Sequence, residues 1–416
     1  MNFDWHVESG ELPPLMTLEP DPAADSIDHA AVRACRLMRL REEMASHQIA
    51  ACLLFDPVNI RYASGARNMQ VFSSRNPARY LVVTQYRTIL FEFTGCMHLA
   101  SDLETIDEVR PAMTVSFVAA GNTITDTEKR FAVEMATLLR ELVGDGQIIG
   151  IERINAGAVQ ALVAQGFMLV DAQIPVERAR AIKSSEELKC VRASLRATEH
   201  AVARLRAALR PGITENALWS VLHQAVIEQN GDYCETRLLS SGKRSNPWFQ
   251  ECSPRVIGNN ELVALDTDVV GCYGYYSDFS RTFHSGPGKP SAIQKRLYQT
   301  AHEQVHHNID IIKAGMSFKE YSEKAWSIPS KYHGNRYYLS AHGVGMTGEY
   351  PYLYHHADYK DAGYDGIIEP GMTLCVESYI GEKDGTEGVK LEQQILVTDD
   401  GIELLSEFPF EEALLG

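Results

Sequence analysis

Glu261-Leu-Val-Ala-Leu-Asp-Thr-Asp-Val-Val-Gly-Cys-Tyr-Gly-Tyr-Tyr-Ser-Asp-Phe-Ser-Arg-Thr-Phe283 is the stretch from which the rest of this chain is read. An apolar run (Leu262, Val263, Leu265) carries Asp266 and Asp268, crosses Gly271 and Gly274, and returns through aromatic residues to Asp278. That is the pattern of a hairpin. Side chains alternate along a strand, so Asp266 and Asp268 are expected on one face, with Asp278 returning beside them if the hairpin closes near Gly271 to Gly274. Three carboxylates in one small volume repel strongly at low dielectric and need protons or cations to neutralise them. A divalent metal is the simplest answer. The alternative, a solvated acidic turn, fits poorly with acids embedded in so apolar a strand.

Further along, Tyr337-Tyr-Leu-Ser-Ala-His342-Gly-Val-Gly-Met sets a histidine ahead of Gly-x-Gly on an exiting strand, where small neighbours leave its imidazole uncrowded. Glu369-Pro-Gly-Met-Thr-Leu-Cys-Val-Glu377 reads as a turn and then a strand holding Glu377, and Gly388-Val-Lys-Leu-Glu392 puts Glu392 in another apolar strand. Strand-embedded glutamates are costly unless neutralised. Asp266, Asp268, Asp278, His342, Glu377 and Glu392 together suit two divalent cations. Five carboxylates and one imidazole favour Fe, Mn, Co or Zn over a metal selected by thiolate.

The 416 residues are enough for two domains, each with a core, and 45% hydrophobic with 23% charged residues is an ordinary globular composition. A formal charge of −16 disfavours nucleic acid or an anionic membrane as partner and leaves room for a local basic pocket for a small anion; a small-molecule substrate is expected. The start, Met-Asn-Phe-Asp-Trp-His, lacks a basic region followed by an apolar core, so a cytoplasmic location is expected. Eight cysteines without a Cys-x-x-Cys pair read as reduced thiols.

Residues 1–27, with Pro13, Pro14, Pro20 and Pro22, read as an extended arm. Helical spacing covers 28–47; strands are expected at 49–55, 80–83, 88–93, 115–119 and 148–151, with a helix at 128–143. These make residues 28–175 a mixed α/β domain. Between its strands, Asn59 to Tyr62 and Arg67 to Arg79 read as loop, whose arginines either grip a carboxylate ligand or are solvated. A second domain, 180–416, opens with a helix over 185–209 capped by Ser184 or Ser185, stopped by Pro211-Gly212 and followed by a helix over 217–229. Next come Arg237 on a strand and a Gly/Asn/Pro loop with Arg244, Trp248 and Gln250; Trp248 either packs structurally or walls a ligand pocket.

The order Asp, Asp, His, Glu, Glu resembles the pita-bread metallopeptidase family of methionine aminopeptidase, aminopeptidase P, prolidase and creatinase. Ordinary members space the two aspartates eleven apart, whereas here Asp278 lies twelve from Asp266 and ten from Asp268. That extra acid, with Ser241-Gly-x-Arg-x-Asn-Pro-Trp-Phe-Gln-Glu-Cys, His342-Gly-Val-Gly and Val389-Lys-Leu-Glu, is similar to the DddP type of dimethylsulfoniopropionate (DMSP) lyase. The resemblance implies an α+β fold: a creatinase-like N-terminal domain and a pita-bread catalytic domain whose curved, mainly antiparallel sheet is covered by helices. It also implies a homodimer, the six residues above as ligands to two divalent ions, iron foremost, and cleavage of DMSP to dimethyl sulfide and acrylate. Those lyases carry an Asp base six residues after the His; here Gly348 stands there, with Glu349 beside it, or else a metal-bound hydroxide, as the substitute base and Tyr337 near the substrate. Phe72 stands where a tryptophan is expected, and Phe72, Arg237 and Trp248 are the substrate contacts foreseen. Loss of the Asp raises a second reading, a dinuclear metallohydrolase acting on a small amide or peptide. A non-catalytic binding module is the third, disfavoured because all six ligands are kept.

Overall fold

Asp28 accepts a hydrogen bond from the Ala31 amide and starts the helix His29–Ser46, after which the chain enters a single mixed sheet. Its strands are β1 (Ala51–Leu54), β2 (Tyr80–Thr84), β3 (Thr88–Glu92), β4 (Glu108–Pro111), β5 (Ile148–Ile151) and β6 (Met168–Asp171), in the order β4-β3-β2-β1-β5-β6. β1, β2 and β3 pair antiparallel, while β4, β5 and β6 join in parallel. Leu53, Tyr80, Val82 and Phe91 pack on Phe131, Met135 and Leu139 of the helix Ile124–Val143. These elements belong to one compact unit, Asp28–Arg180, and Ala181–Gly416 belongs to another. The computed structural model describes residues 27–416, so the expected arm lies outside the described residues except for its last position.

Two expectations in the first unit are corrected. The strand at 115–119 is instead a helical turn, Phe117–Ala120, because the Ser116 side chain caps the Ala119 amide; the strand on that edge is β4. Asn59 to Tyr62 are not loop but part of the helix Pro57–Ser64, which has Asp56 as N-cap, proline in the first turn and Gly65 in the left-handed region at its end. Of the loop arginines, Arg79 is fully buried; its Nε donates to Glu92 Oε2 at 3.0 Å and its Nη2 lies 2.9 Å from the same oxygen, a structural ion pair rather than a ligand grip.

The second unit begins at a capping box, with Ser184 and Glu187 each satisfying the other's backbone amide, and runs through the helices Ser185–Ala208 and Glu215–Glu228. Short strands β7 (Tyr233–Cys234), β8 (Leu239–Ser241), β9 (Leu262–Asp266), β10 (Val269–Val270), β11 (Tyr276–Ser277) and β12 (Ser280–His284) form two three-stranded sheets, β11-β10-β7 and β12-β9-β8. The stretch Glu261 to Phe283 is therefore a hairpin: Leu262 pairs with His284, Asp266 with Ser280, and Val269 with Ser277. Asp268 sits between the paired segments at a positive φ of 42°. β13 (Leu339–Val344), β14 (Gly348–Tyr354), β15 (Thr373–Gly381), β16 (Gly388–Val397) and β17 (Ile402–Leu404) build an antiparallel sheet in the order β14-β13-β15-β16-β17. Strand alternation divides its residues: Leu374, Val376, Ile380, Val389, Leu391 and Ile395 bury against Leu297, Tyr298, Ala301 and Val305 of the helix Ala292–Ile311. The opposite phase, Cys375, Glu377, Lys390 and Glu392, faces away from that helix. No helix among the described residues is long and apolar enough to cross a membrane.

Candidate metal centre

Register brings the chemistry together. On the central sheet His342 lies opposite Cys375, and Glu377 opposite Glu392; Asp266, Asp268 and Asp278 come from the hairpin. All six predicted ligands line one cleft of about 450 Å³, with Tyr337, Tyr338, Tyr352 and Phe249 among the other lining residues. His342 Nε2 stands 3.4 Å from Glu392 Oε1, 3.7 Å from Asp278 Oδ2 and 3.8 Å from Glu377 Oε1. Its Nδ1 donates to the Gly343 carbonyl at 2.9 Å, which orients the ring and leaves Nε2 toward the acids. Ligand atoms of Asp278, His342, Cys375 and Glu392 converge within 4.8 Å, as do those of Asp266, Asp268 and Asp278, so Asp278 is common to two adjoining clusters.

Whether these residues fit a metal is tested by their unused oxygens. Asp278 Oδ1, Glu377 Oε1 and Glu392 Oε1 are buried and accept no hydrogen bond, an arrangement that is costly without a cation. Burial pushes the Asp266 and Asp278 carboxyls well above the usual carboxylate range, and neighbouring carboxylates add to it. Burial likewise raises Asp268, and lifts Glu377 to about 7 against the pull of Lys390. Glu392, although buried, is held below its ordinary value by Lys390 and His342. Burial opposes charge on His342, but Glu392 and Glu377 push it up to about 9. Burial therefore disfavours the charged form of most of these carboxyls unless a cation stands beside them, and the donor set fits hard or borderline metals.

The foreseen catalytic and substrate residues divide. Tyr337 lines the cleft, its ring 5.1 Å from that of Phe249. Glu349 does not: on β14 it alternates with Gly348, which does line the cleft, and its buried carboxylate takes a 2.5 Å hydrogen bond from Lys183 Nζ. The reading of Glu349 as substitute base is corrected accordingly. The glycines after His342 serve this packing, since a Cβ on Gly343 would strike the Glu349 and Tyr350 carbonyls and one on Gly345 the Glu349 carboxylate. Trp248 does not wall the cleft; it is buried in a cluster with Leu238, Ala264 and Tyr379. Arg237 lies outside the strands, half-exposed and paired with Glu251 at 2.9 Å; of the two, Glu251 lines the cleft. Phe72 belongs to the first unit, half-exposed on the helical turn Gln70–Ser73, with its ring 6.2 Å from that of Phe93.

Sequence reading missed Lys390, whose ammonium sits among the ligands, and the bracing of Asp268 by the Tyr276 hydroxyl (2.9 Å) and the Thr236 hydroxyl. The signal for Lys390 was present: it shares the strand phase of Glu392.

The chain belongs to metallopeptidase family M24, whose pattern matches residues 189–399, and carries a creatinase/prolidase N-terminal domain over 36–182. That family typically holds two metal ions in a pita-bread domain. Among its relatives, the dimethylsulfoniopropionate lyase DddP of Roseobacter denitrificans is 35% identical over 420 residues, spanning 99% of this chain and 91% of that one. The DddP lyase of Roseovarius nubinhibens is 35% identical over 395 residues, 94% of this chain and 89% of its own. The fold is shared with a prolidase from Thermococcus sibiricus (TM-score 0.74, 20% identity, covering 91% of this chain and 98% of the prolidase). The dipeptidase PepE of Mycobacterium ulcerans is also similar (TM-score 0.73, 19% identity, 92% and 97% covered).

Proposed function

We propose that this protein is a metal-dependent lyase of DddP type, acting on DMSP or a related small sulfonium or betaine acid. One observation carries the reading: the cleft sets a cluster of cation-seeking carboxylates against an aromatic wall of Phe249, Tyr337, Tyr338 and Tyr352. Aromatic faces attract methylated cations, so a molecule with a carboxylate at one end and an onium group at the other suits both ends of the cleft. Asp266, Asp268, Asp278, His342, Glu377 and Glu392 would hold two divalent ions, iron foremost. Bound there, they would supply Lewis acidity that anchors the substrate carboxylate and acidifies its α-carbon. Tyr337, whose hydroxyl burial keeps neutral, acts as a hydrogen-bond donor to substrate rather than as a base. A homodimer and a contact from Phe72 rest on the resemblance to the lyases.

A second reading is favoured by a specific feature. With Gly348 bare and Glu349 turned to Lys183, the position of the lyase base carries no carboxylate. A hydrolase that activates water on its metals does not need one, and the same cleft then accepts a small amide or dipeptide. The test is incubation of the metal-loaded full chain with DMSP and, in parallel, with Xaa-Pro dipeptides. Release of dimethyl sulfide into the headspace supports the lyase; peptide cleavage without it transfers the proposal to the hydrolase.

A further inference from the structure

Lys390 has no exposed surface, and its Nζ has four polar partners: Glu377 Oε2 at 2.8 Å, Ser280 Oγ at 2.8 Å, Glu392 Oε2 at 2.9 Å and Asp266 Oδ2 at 3.3 Å. Its ammonium also lies 5.0 Å from the ring centre of Tyr337. Ser280 Oγ lies 2.7 Å from both Asp266 Oδ1 and Glu392 Oε2, its one hydrogen serving either. The division of oxygens is systematic. On both glutamates the lysine takes Oε2, while Oε1 is left without a partner and points toward His342 Nε2. Flanking Val389 and Leu391 face the helix-covered core, so strand alternation gives the lysine stem no other place to go.

Resting on the metal-centre part of the reading above, we propose that Lys390 is a built-in counter-ion. It holds the cluster together when no metal is bound, and it competes with an incoming ion for Asp266. With their protons displaced by incoming ions, five carboxylates against one ammonium leave the negative charge that two divalent ions would cancel, so the lysine fits the filled site as well as the empty one. With one oxygen of each glutamate fixed, the other is already aimed for a ligand bond, and the cluster need not be assembled by the ion. Asp266 differs, because its two oxygens are engaged by Ser280 and Lys390, so an ion there must loosen an existing contact.

The experiment uses the full chain stripped by chelator and titrated with Co(II), read by calorimetry and thermal melting, with no substrate present. Lys390→Met is expected to lower the melting temperature of the stripped chain, to widen the gap between stripped and loaded melting, and to tighten the weaker Co(II) site at least about tenfold. A Lys390→Met chain that is soluble only when loaded also supports the proposal, because metal then replaces the missing charge. An unchanged gap and unchanged titration overturn it. Should Lys390→Met fail to fold even when loaded, Lys390→Arg decides: a soluble chain with the parent's titration supports a charge role, and a second failure overturns it. A parent chain that takes up no metal would refute the metal reading, while the stripped-chain melting still tests Lys390.

Discussion

Replacing Gly348 with Asp tests the proposed chemistry most directly. A Cβ built at this position meets only Cε1 and Nδ1 of His342, both at 3.9 Å, which is ordinary van der Waals contact. Gly348 is not among the glycines with positive φ, so an L side chain enters without backbone strain. The cost to stability should therefore stay within about 1 kcal/mol. The new carboxylate would project from a cleft-lining residue beside His342, where the lyases carry their base. A positioned general base contributes about 10²–10⁴-fold, or roughly 3–5 kcal/mol of barrier. Gly348→Asp should thus release dimethyl sulfide from DMSP about 10²–10⁴ times faster than the parent, with metal content unchanged. The assay is headspace gas chromatography on chains loaded with the same metal. A folded, fully loaded Gly348→Asp chain no faster than its parent refutes the reasoning and moves the proposal to the hydrolase.

Glu349→Gln should act on the fold rather than as the loss of a base: with Lys183 left buried and uncompensated, urea unfolding should show a loss of about 3–5 kcal/mol. Unchanged stability would contradict the buried pair. Asp278→Ala removes the carboxylate common to both clusters, so elemental analysis should find metal reduced and turnover mostly lost, with circular dichroism unaltered; retention of half the activity would refute its role. In the first unit, burial, with Asp56 adding to it, pushes Glu152 up to about 7 from its ordinary 4.5, so the folded state binds the proton more tightly than the unfolded one. Stability contributed by this group is then present at low pH and lost as pH rises from about 4.5 through 7, by up to about 3 kcal/mol. Glu152→Gln should flatten that slope in melts across this range, and an identical slope in both chains would refute the assignment. Light scattering at micromolar concentration should give a dimer mass; a monomer rejects the homodimer.

What the sequence by itself determined is the set of groups and the strands that carry them. Acids in apolar, alternating runs have no inexpensive place except a neutralised cluster, so Asp266, Asp278, Glu377 and Glu392 were legible without coordinates. His342 was legible as well, although for an incomplete reason: its glycines admit the β14 backbone and Glu349 rather than merely relieving the imidazole. The helix Pro57–Ser64 was also written in the sequence, in Asp56, Pro57 and Gly65, and was overlooked. Only the tertiary structure decided which neighbour in sequence faces the site. Gly348 and Glu349 are adjacent, yet a strand turns them to opposite sides, and the lysine that claims Glu349 lies 166 residues away. Trp248 and Arg237 were settled in the same way, one by packing on Tyr379 and the other by Glu251 at the rim. Lys390 shows the boundary most plainly: Glu392 on its own strand and Glu377 on the neighbouring strand share its phase, but Asp266, more than a hundred residues earlier, reaches the same ammonium only through the tertiary fold.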